Sequence, residues 1–374
     1  MQTLDIMDNS HLEPTIGALG KKGEPISLAE ELALEQSLGI AEPVPDDPFL
    51  IGDSAYWQEL QQLSIQELIA EARSYGESDL DESLDRQELV LRVIKQRIRQ
   101  SGLMFFEGSL EILPEEFGFL RSPDNFYRTR PDDIYVSPSQ IRRFSIRNGS
   151  KVSGPIRPPK TNERYFALLR VEAINHQNPN RQKTQPHFEE MISMPPTQPL
   201  SLSPGDFDPN IRDAVTSLTY GSRGLIVGST ESKNTALMQS IAQSLLINDP
   251  YTLVFMLFLN KPDDVLHEQQ QKLSGRRCEV IGTFPGETIE RFIHLTDFML
   301  EKAKRLVEYG KNVLLCVDSF SAFREVSENP SLGCPIRLFR SARKTEKGSL
   351  TILATVSDEE ESRIYRDGIR ISPH

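Results

Sequence analysis

Phe117-Gly118-Phe119-Leu120-Arg121, followed by Asp132-Asp133-Ile134-Tyr135-Val136-Ser137-Pro138-Ser139-Gln140-Ile141-Arg142-Arg143, decides how this chain is organised. Two phenylalanines at i and i+2 share one face of a β-strand. Tyr135 falls on a further expected strand, with Arg121, Arg142 and Arg143 nearby in sequence. Aromatic faces beside guanidinium groups suit a single-stranded nucleic acid, whose bases stack and whose phosphates pair. Composition alone leaves a second reading open, in which the rings fill a core and the arginines are ordinary surface.

Around that stretch, five short strands separated by Pro, Gly, Asn and Asp turns are expected: Gly108–Leu113, Phe117–Arg121, Ile134–Val136, Lys151–Arg157 and Tyr165–Ala173. Such spacing within residues 102–175 predicts a small closed barrel of the oligonucleotide-binding, cold-shock-like type. Upstream, residues 58–101 predict a helical unit. Ser64-Ile65-Gln66-Glu67 reads as a capping box, and Leu89, Val93, Ile94 and Ile98 recur at helical spacing. Residues 176–210 read as a linker.

From residue 211 to 374 strands and helices alternate. Gly224–Val227, Leu253–Leu259, Val313–Val317 and Leu350–Val356 are expected strands, and Thr235–Leu246 and Ile289–Tyr309 are expected helices. That alternation predicts an α/β domain with a mainly parallel sheet. The expected fold is therefore multi-domain α+β: a helical unit, a five-stranded barrel, then an α/β nucleotide-binding-type domain, read as short at its C-terminus.

Charge does not exclude nucleic acid. The 374 residues carry a net charge of −12, but residues 1–60 hold 12 Asp/Glu against 2 Lys/Arg. Residues 103–174 hold 11 Lys/Arg against 9 Asp/Glu, and 10 of the chain's 28 aromatic residues. The aromatic segment is thus locally positive. Residues 1–57 read as a poorly ordered acidic arm with a short helix at Ser27–Leu38. It is either a solvated tail or an arm that binds a partner or mimics RNA. No apolar run reaches the ~18 residues of a membrane helix, and the start lacks a signal-peptide pattern. Cys278, Cys316 and Cys334 are not in a paired metal spacing, and the six histidines are dispersed. No metal site is expected, and a reducing cytoplasm is the simplest setting.

A working phosphate loop reads G-x-x-x-x-G-K-[ST] between strand and helix. Here the stretch is Gly228-Ser229-Thr230-Glu231-Ser232-Lys233-Asn234-Thr235. Gly228 and Thr235 keep the spacing and the hydroxyl suited to Mg²⁺. Lys233 replaces the second glycine, where a side chain obstructs backbone wrapping of phosphate. Asn234 replaces the lysine and carries no charge. Lys233, one residue early, projects roughly 100° away around a helix. Glu231 adds a negative charge beside a polyanion site.

These strings resemble the bacterial transcription termination factor Rho family. The likeness is strongest in GSLEILPEEFGFLRSPDNFYRTRPDDIYVSPSQIRRFSIRNG and VSGPIRPPKTNERYFALLRVEAIN, and continues in RGLIVGSTESKNTALMQSIAQS, EKAKRLVEYGKNVLLCVDS and SARKTEKGSLTILATV. The resemblance implies a hexameric, RNA-dependent ATPase and 5′→3′ translocase that loads on C-rich nascent RNA. It implies a RecA-like, P-loop-type fold for the second domain. It places Phe117, Phe119 and Tyr135 on an aromatic RNA shelf, with Arg121, Asp133, Glu163 and Tyr165 around it. Asp318 matches the magnesium-side aspartate.

This chain departs from the family elsewhere. Asn260 stands where active relatives carry the acid that activates water, and Asp263 and Asp264 look like helix-start residues. The connection between Asn329 and Arg337 is short where the family has an RNA-gripping pore loop. Arg363, Arg366 and Arg370 sit in a divergent tail, and the resemblance assigns none of them as the arginine finger. Each such loss in a phosphoryl-transfer site costs orders of magnitude. The expectation is a Rho-like protein that binds single-stranded, pyrimidine-rich RNA with a silent motor and modulates termination. No cofactor is then required, and ATP with Mg²⁺ enters only if the loop still functions. RNA, Rho itself, RNA polymerase and a homo- or hetero-oligomeric ring are the partners implied, with no membrane. Two alternatives stand beside it: an active RNA-dependent ATPase and helicase, and a protein-interaction scaffold that binds no RNA.

Overall fold

A computed structural model describes residues 59–60, 62–76, 86–100, 102–131, 133–159, 163–180, 185–275, 277–325, 333–357, 365 and 368–372. The acidic arm 1–57, the helix expected at Ser27–Leu38, Arg363, Arg366 and most of the short connection after Asn329 lie outside the described residues.

Helix α1 (Ile65–Ser74) opens on Ser64. Its hydroxyl accepts from Glu67 N at 3.2 Å, and the Glu67 carboxylate accepts from Ser64 N, completing the capping box. With α2 (Arg86–Gln100) it buries Leu68, Leu89, Val93 and Ile94 in a small core of their own.

The barrel follows. Its strands are β1 (Met104–Ile112), β2 (Gly118–Arg121), β3 (Ile134–Val136), β4 (Lys151–Arg157) and β5 (Phe166–Leu168), with a short β6 (Ala173–Ile174) added to β4. Helix α3 (Pro138–Phe144) separates β3 from β4. Strand order β1-β2-β3-β5-β4 closes through a β1–β4 pairing, and only β3–β5 is parallel. The last expected strand is two pieces, β5 and β6, and the first begins earlier, at Met104. Leu110, Leu120, Ile134, Val136, Val152 and Leu168 point inward and form the barrel core. Gly118 permits the close approach of β1 and β2, since a Cβ there would sit 2.6 Å from the Glu111 carbonyl.

The segment expected as a linker is packed down. Phe188, Met191, Leu200 and Phe207 join the core of the α/β domain, and β7 (Ser193–Met194) adds an edge strand. Large apolar residues spaced through a Pro-rich stretch bury area without regular structure, which periodicity does not detect. Helix α4 (Pro209–Thr216) then leads into the α/β domain.

The α/β elements are β8 (Arg223–Val227), α5 (Glu231–Asn248), β9 (Thr252–Phe258), α6 (Asp263–Leu273), β10 (Cys278–Gly282), α7 (Ile289–Glu308), β11 (Asn312–Asp318), α8 (Ala322–Glu325), α9 (Gly333–Arg340), β12 (Arg343–Thr345), β13 (Ser349–Val356) and β14 (Ile369–Ile371). Strands β10-β9-β11-β13-β8-β14 run parallel, while β12 and β7 pair antiparallel at the margin. The parallel strands are nearly all apolar because helices cover both faces.

The barrel and the α/β domain share core. Phe126 and Tyr127 leave the barrel and insert among the α/β side chains, Tyr127 packing edge-on against Phe298 at 5.0 Å. Tyr127 donates to Glu279 Oε2 at 2.8 Å, and the buried Lys302 ammonium donates to both Glu279 oxygens at 2.7 Å. Gly149 turns with φ +81° directly against α7; a Cβ there would meet Lys302 N at 2.5 Å.

Candidate RNA-binding shelf and nucleotide seat

Antiparallel pairing sets Glu111 opposite Phe119 and Phe119 opposite Tyr135. Because side chains alternate along a strand, Phe117, Phe119 and Arg121 share the face opposite Leu120 and the barrel core. The rings therefore lie outside the core. Phe117 and Tyr135 are 5.6 Å apart and inclined by 33°; Phe119 meets Tyr165 edge-on at 4.8 Å. Phe117, Tyr135 and Tyr165 are half-buried, while Phe119 is 8% exposed beneath its neighbours. The result is a cluster of four aromatic rings outside the barrel core, three of them partly exposed, of the kind on which bases stack.

The charged residues expected around the shelf are held by one another. Arg121 is buried between two carboxylates, bonding Glu111 Oε2 at 2.6 Å and Asp133, while its guanidinium stands 5.2 Å from the Phe119 centroid. Asp133 also accepts from Arg130 N at 2.6 Å. Glu163 receives Arg157 in a two-pronged contact at 2.5 and 2.9 Å. Arg121 thus fixes the platform from below. Sequence reasoning missed Glu111, Arg157 and His294. Glu111 was readable from strand alternation, whereas His294 Nε2, 2.5 Å from Glu111 Oε1, comes from α7 in the other domain and leaves no local signal. Burial pushes the Glu111 carboxyl up, but His294 and Arg121 outweigh it and hold it at about 2.

The second site lies at the carboxyl edge of the parallel sheet, where α/β folds bind ligands. Helix α5 begins at Glu231, not at Thr235 as expected, so only Gly228–Thr230 separate it from β8. The Lys233 and Asn234 amides both donate to Thr230 O at 3.1 Å, and Gly228 N to Val356 O at 3.4 Å. These amides are committed to the fold, whereas a phosphate cradle needs them directed outward. With no second glycine to hold the loop open, the residues ahead of Thr235 wind into the helix.

Asn234, at the lysine position, is 2% exposed; its Nδ2 donates to Gly228 O at 2.7 Å and to Val356 O at 3.3 Å. Its buried Oδ1 has no hydrogen-bond partner among the described residues, so an acceptor stands where phosphate recognition wants an ammonium. Lys233 is exposed on the helix surface. Asp318 is fully buried; Thr235 Oγ1 donates to its Oδ2 at 2.5 Å and Thr355 Oγ1 to its Oδ1 at 2.7 Å. Burial raises the Asp318 carboxyl above its ordinary value, although Lys261 and the two hydroxyls oppose that. Lys261 Nζ bonds Glu231 and lies 3.7 Å from Asp318 Oδ2. Asp263 and Asp264 occupy the first turn of α6, and Asn260 takes a left-handed φ of +56°. The donor set does not fit ATP with Mg²⁺ as a working loop would. Among the described residues no group of three or more His, Cys, Asp or Glu side chains could hold a metal, and no helix is long and apolar enough to cross a membrane.

Comparison with known proteins places the barrel in a family. The Rho termination factor RNA-binding domain family matches residues 106–180. The chain is 38% identical over 373 residues to transcription termination factor Rho of Rhodopirellula baltica, covering 94% of this chain and 72% of that one. It is 36% identical over 318 residues to Rho of Salmonella typhimurium, covering 79% and 75%. A solved ATPase of the type III secretion system of pathogenic bacteria superposes at a TM-score of 0.38 with 19% identity, over 47% of this chain and 56% of that one. With the barrel's aromatic platform in place and relatives aligned along most of its length, the chain belongs to the transcription termination factor Rho family and carries that family's RNA-binding domain.

Proposed function

We propose that this chain binds single-stranded, pyrimidine-rich RNA on Phe117, Phe119, Tyr135 and Tyr165, and that its α/β domain does not hydrolyse ATP. The observation that carries the reading is the contrast between a partly exposed aromatic cluster outside the barrel core and a phosphate loop wound into helix α5. Stacking supplies about 1–3 kcal/mol per base and tolerates any sequence. A pyrimidine preference is what family membership suggests, since Asp133 and Glu163 are already engaged by Arg121 and Arg157. A protein that holds C-rich RNA without translocating competes for the loading sites of active Rho and so modulates termination in the cytoplasm. Assembly with Rho into mixed rings is the partner reading that follows from family membership.

The test is a pair of measurements on one preparation. Fluorescence anisotropy with labelled oligo(C) reports binding at moderate salt, and phosphate release with saturating poly(C) reports hydrolysis. Binding with turnover at background is expected. Turnover above background would make the chain an active motor, and absence of RNA binding would remove the shelf reading.

A further inference from the structure

We infer that Lys261 is a built-in counter-ion for Asp318, standing where a nucleotide-bound divalent cation would balance that carboxylate. This deepens the silent-motor reading and rests on it. Asp318 is fully buried, and a buried carboxylate needs a nearby cation or a proton. Thr235 and Thr355 satisfy its hydrogen bonds but bring no charge. Lys261 Nζ, 3.7 Å away and 13% exposed in its side chain, supplies it.

The ammonium is aimed by a pinned backbone. Asn260 N donates to Thr283 Oγ1 at 2.9 Å, and Lys261 N donates to Thr283 O at 3.0 Å. Asn260 adopts φ +56°, a conformation that asparagine tolerates better than most residues. The residue that removes the acid from the catalytic position thereby forms the turn that directs Lys261 into the seat. Glu231, in the first turn of α5, closes the other side by bonding the same ammonium. Carboxylate, ammonium and carboxylate then run in series from the sheet edge to the helix start, across the path a phosphate chain would take.

The experiment is a set of thermal melts on the full chain: wild type, Lys261→Met, Asp318→Asn and the double variant, each with and without Mg²⁺-ADP. Lys261→Met strands a buried charge, so Tm falls by roughly 5 °C or more. In the Asp318→Asn background the same change moves Tm by no more than about 2 °C, because no charge is left to balance. If Lys261→Met yields no folded protein, the pair Asp318→Asn and double variant decides alone, and loss of the double variant refutes the assignment. A Lys261→Met melt within about 1 °C of wild type refutes it as well. Wild-type Tm is expected not to respond to Mg²⁺-ADP; a rise that grows with ligand concentration would instead make Lys261 a phosphate ligand. Poly(C)-stimulated hydrolysis on the same wild-type sample separates the two readings. Turnover there defeats the silent motor, whereas a neutral Lys261→Met without turnover defeats the counter-ion alone.

Discussion

Glu111→Gln tests whether the RNA shelf is held from beneath by charge. Glu111 is 11% exposed in its side chain and bonded by Arg121 and His294. Glutamine keeps the size and an acceptor for Arg121 but removes the negative charge. The carboxyl is held at about 2 against an ordinary 4.5. At ~1.4 kcal/mol per pH unit, that gap sets an upper limit of about 3 kcal/mol contributed to stability near neutral pH. Asp133 still faces Arg121 in the variant, so the expected loss is about 1–3 kcal/mol.

The sign of the pH dependence follows from the direction of the shift. A carboxyl whose folded value lies below its unfolded value stabilises fully above the unfolded value. That stabilisation fades as pH falls from 4.5 toward 2. Urea unfolding of wild type and Glu111→Gln, followed by circular dichroism at pH 7 and at steps below 4.5, measures the difference directly. The variant is less stable at pH 7, and the two curves converge on acidification. A gap that stays constant with pH, or no gap at pH 7, would refute the electrostatic role.

Phe117→Ala removes an outer ring of the platform without opening the barrel core, and weakens oligo(C) binding by roughly 5- to 150-fold in anisotropy titrations, with Tm little changed. Restoring the loop consensus with Lys233→Gly and Asn234→Lys leaves phosphate release at background, because Asn260 still provides no base and Lys261 still sits between Glu231 and Asp318. Lys302→Met leaves the half-buried Glu279 with the Tyr127 hydroxyl and the more distant Lys151 charge, and lowers unfolding free energy by about 1–3 kcal/mol in denaturant titrations.

The fold was readable where local pattern and tertiary environment agree. Strands Ile134–Val136 and Lys151–Arg157 have the same bounds in sequence and structure because turn residues flank them on both sides. The Ser64 capping box is a local device and forms as such. The start of α5 was not readable. A consensus loop predicts where a working helix begins, but without its glycine the helical preference of Glu231–Asn234 extends the helix backward by four residues. Phe117, Phe119 and Tyr135 were nameable in advance as a cluster with Tyr165 beside it, yet the pairing of Arg121 with Glu111 and Asp133 was not. A guanidinium next to rings in sequence could as well have faced phosphate. The register of β2 between β1 and β3 commits it to carboxylates, Glu111 on one side and Asp133 on the other.

Retention of Thr235 and Asp318 looks at first like retention of magnesium chemistry. Their geometry gives a different reason for both. The Thr235 hydroxyl donates to Asp318 Oδ2 at 2.5 Å, so each satisfies a polar group that the other would otherwise leave buried and unpaired. Removing either costs stability whether or not a cation ever binds, so the pair by itself is no argument for magnesium chemistry. The shelf differs in kind. Phe117, Tyr135 and Tyr165 keep exposed ring area outside the barrel core. Aromatic surface directed at water does little for folding by itself, and clustered open rings therefore point to a ligand in a way that a buried Thr–Asp pair does not. By this criterion the aromatic cluster is the stronger candidate for a ligand site, whereas packing alone accounts for the contact between Thr235 and Asp318.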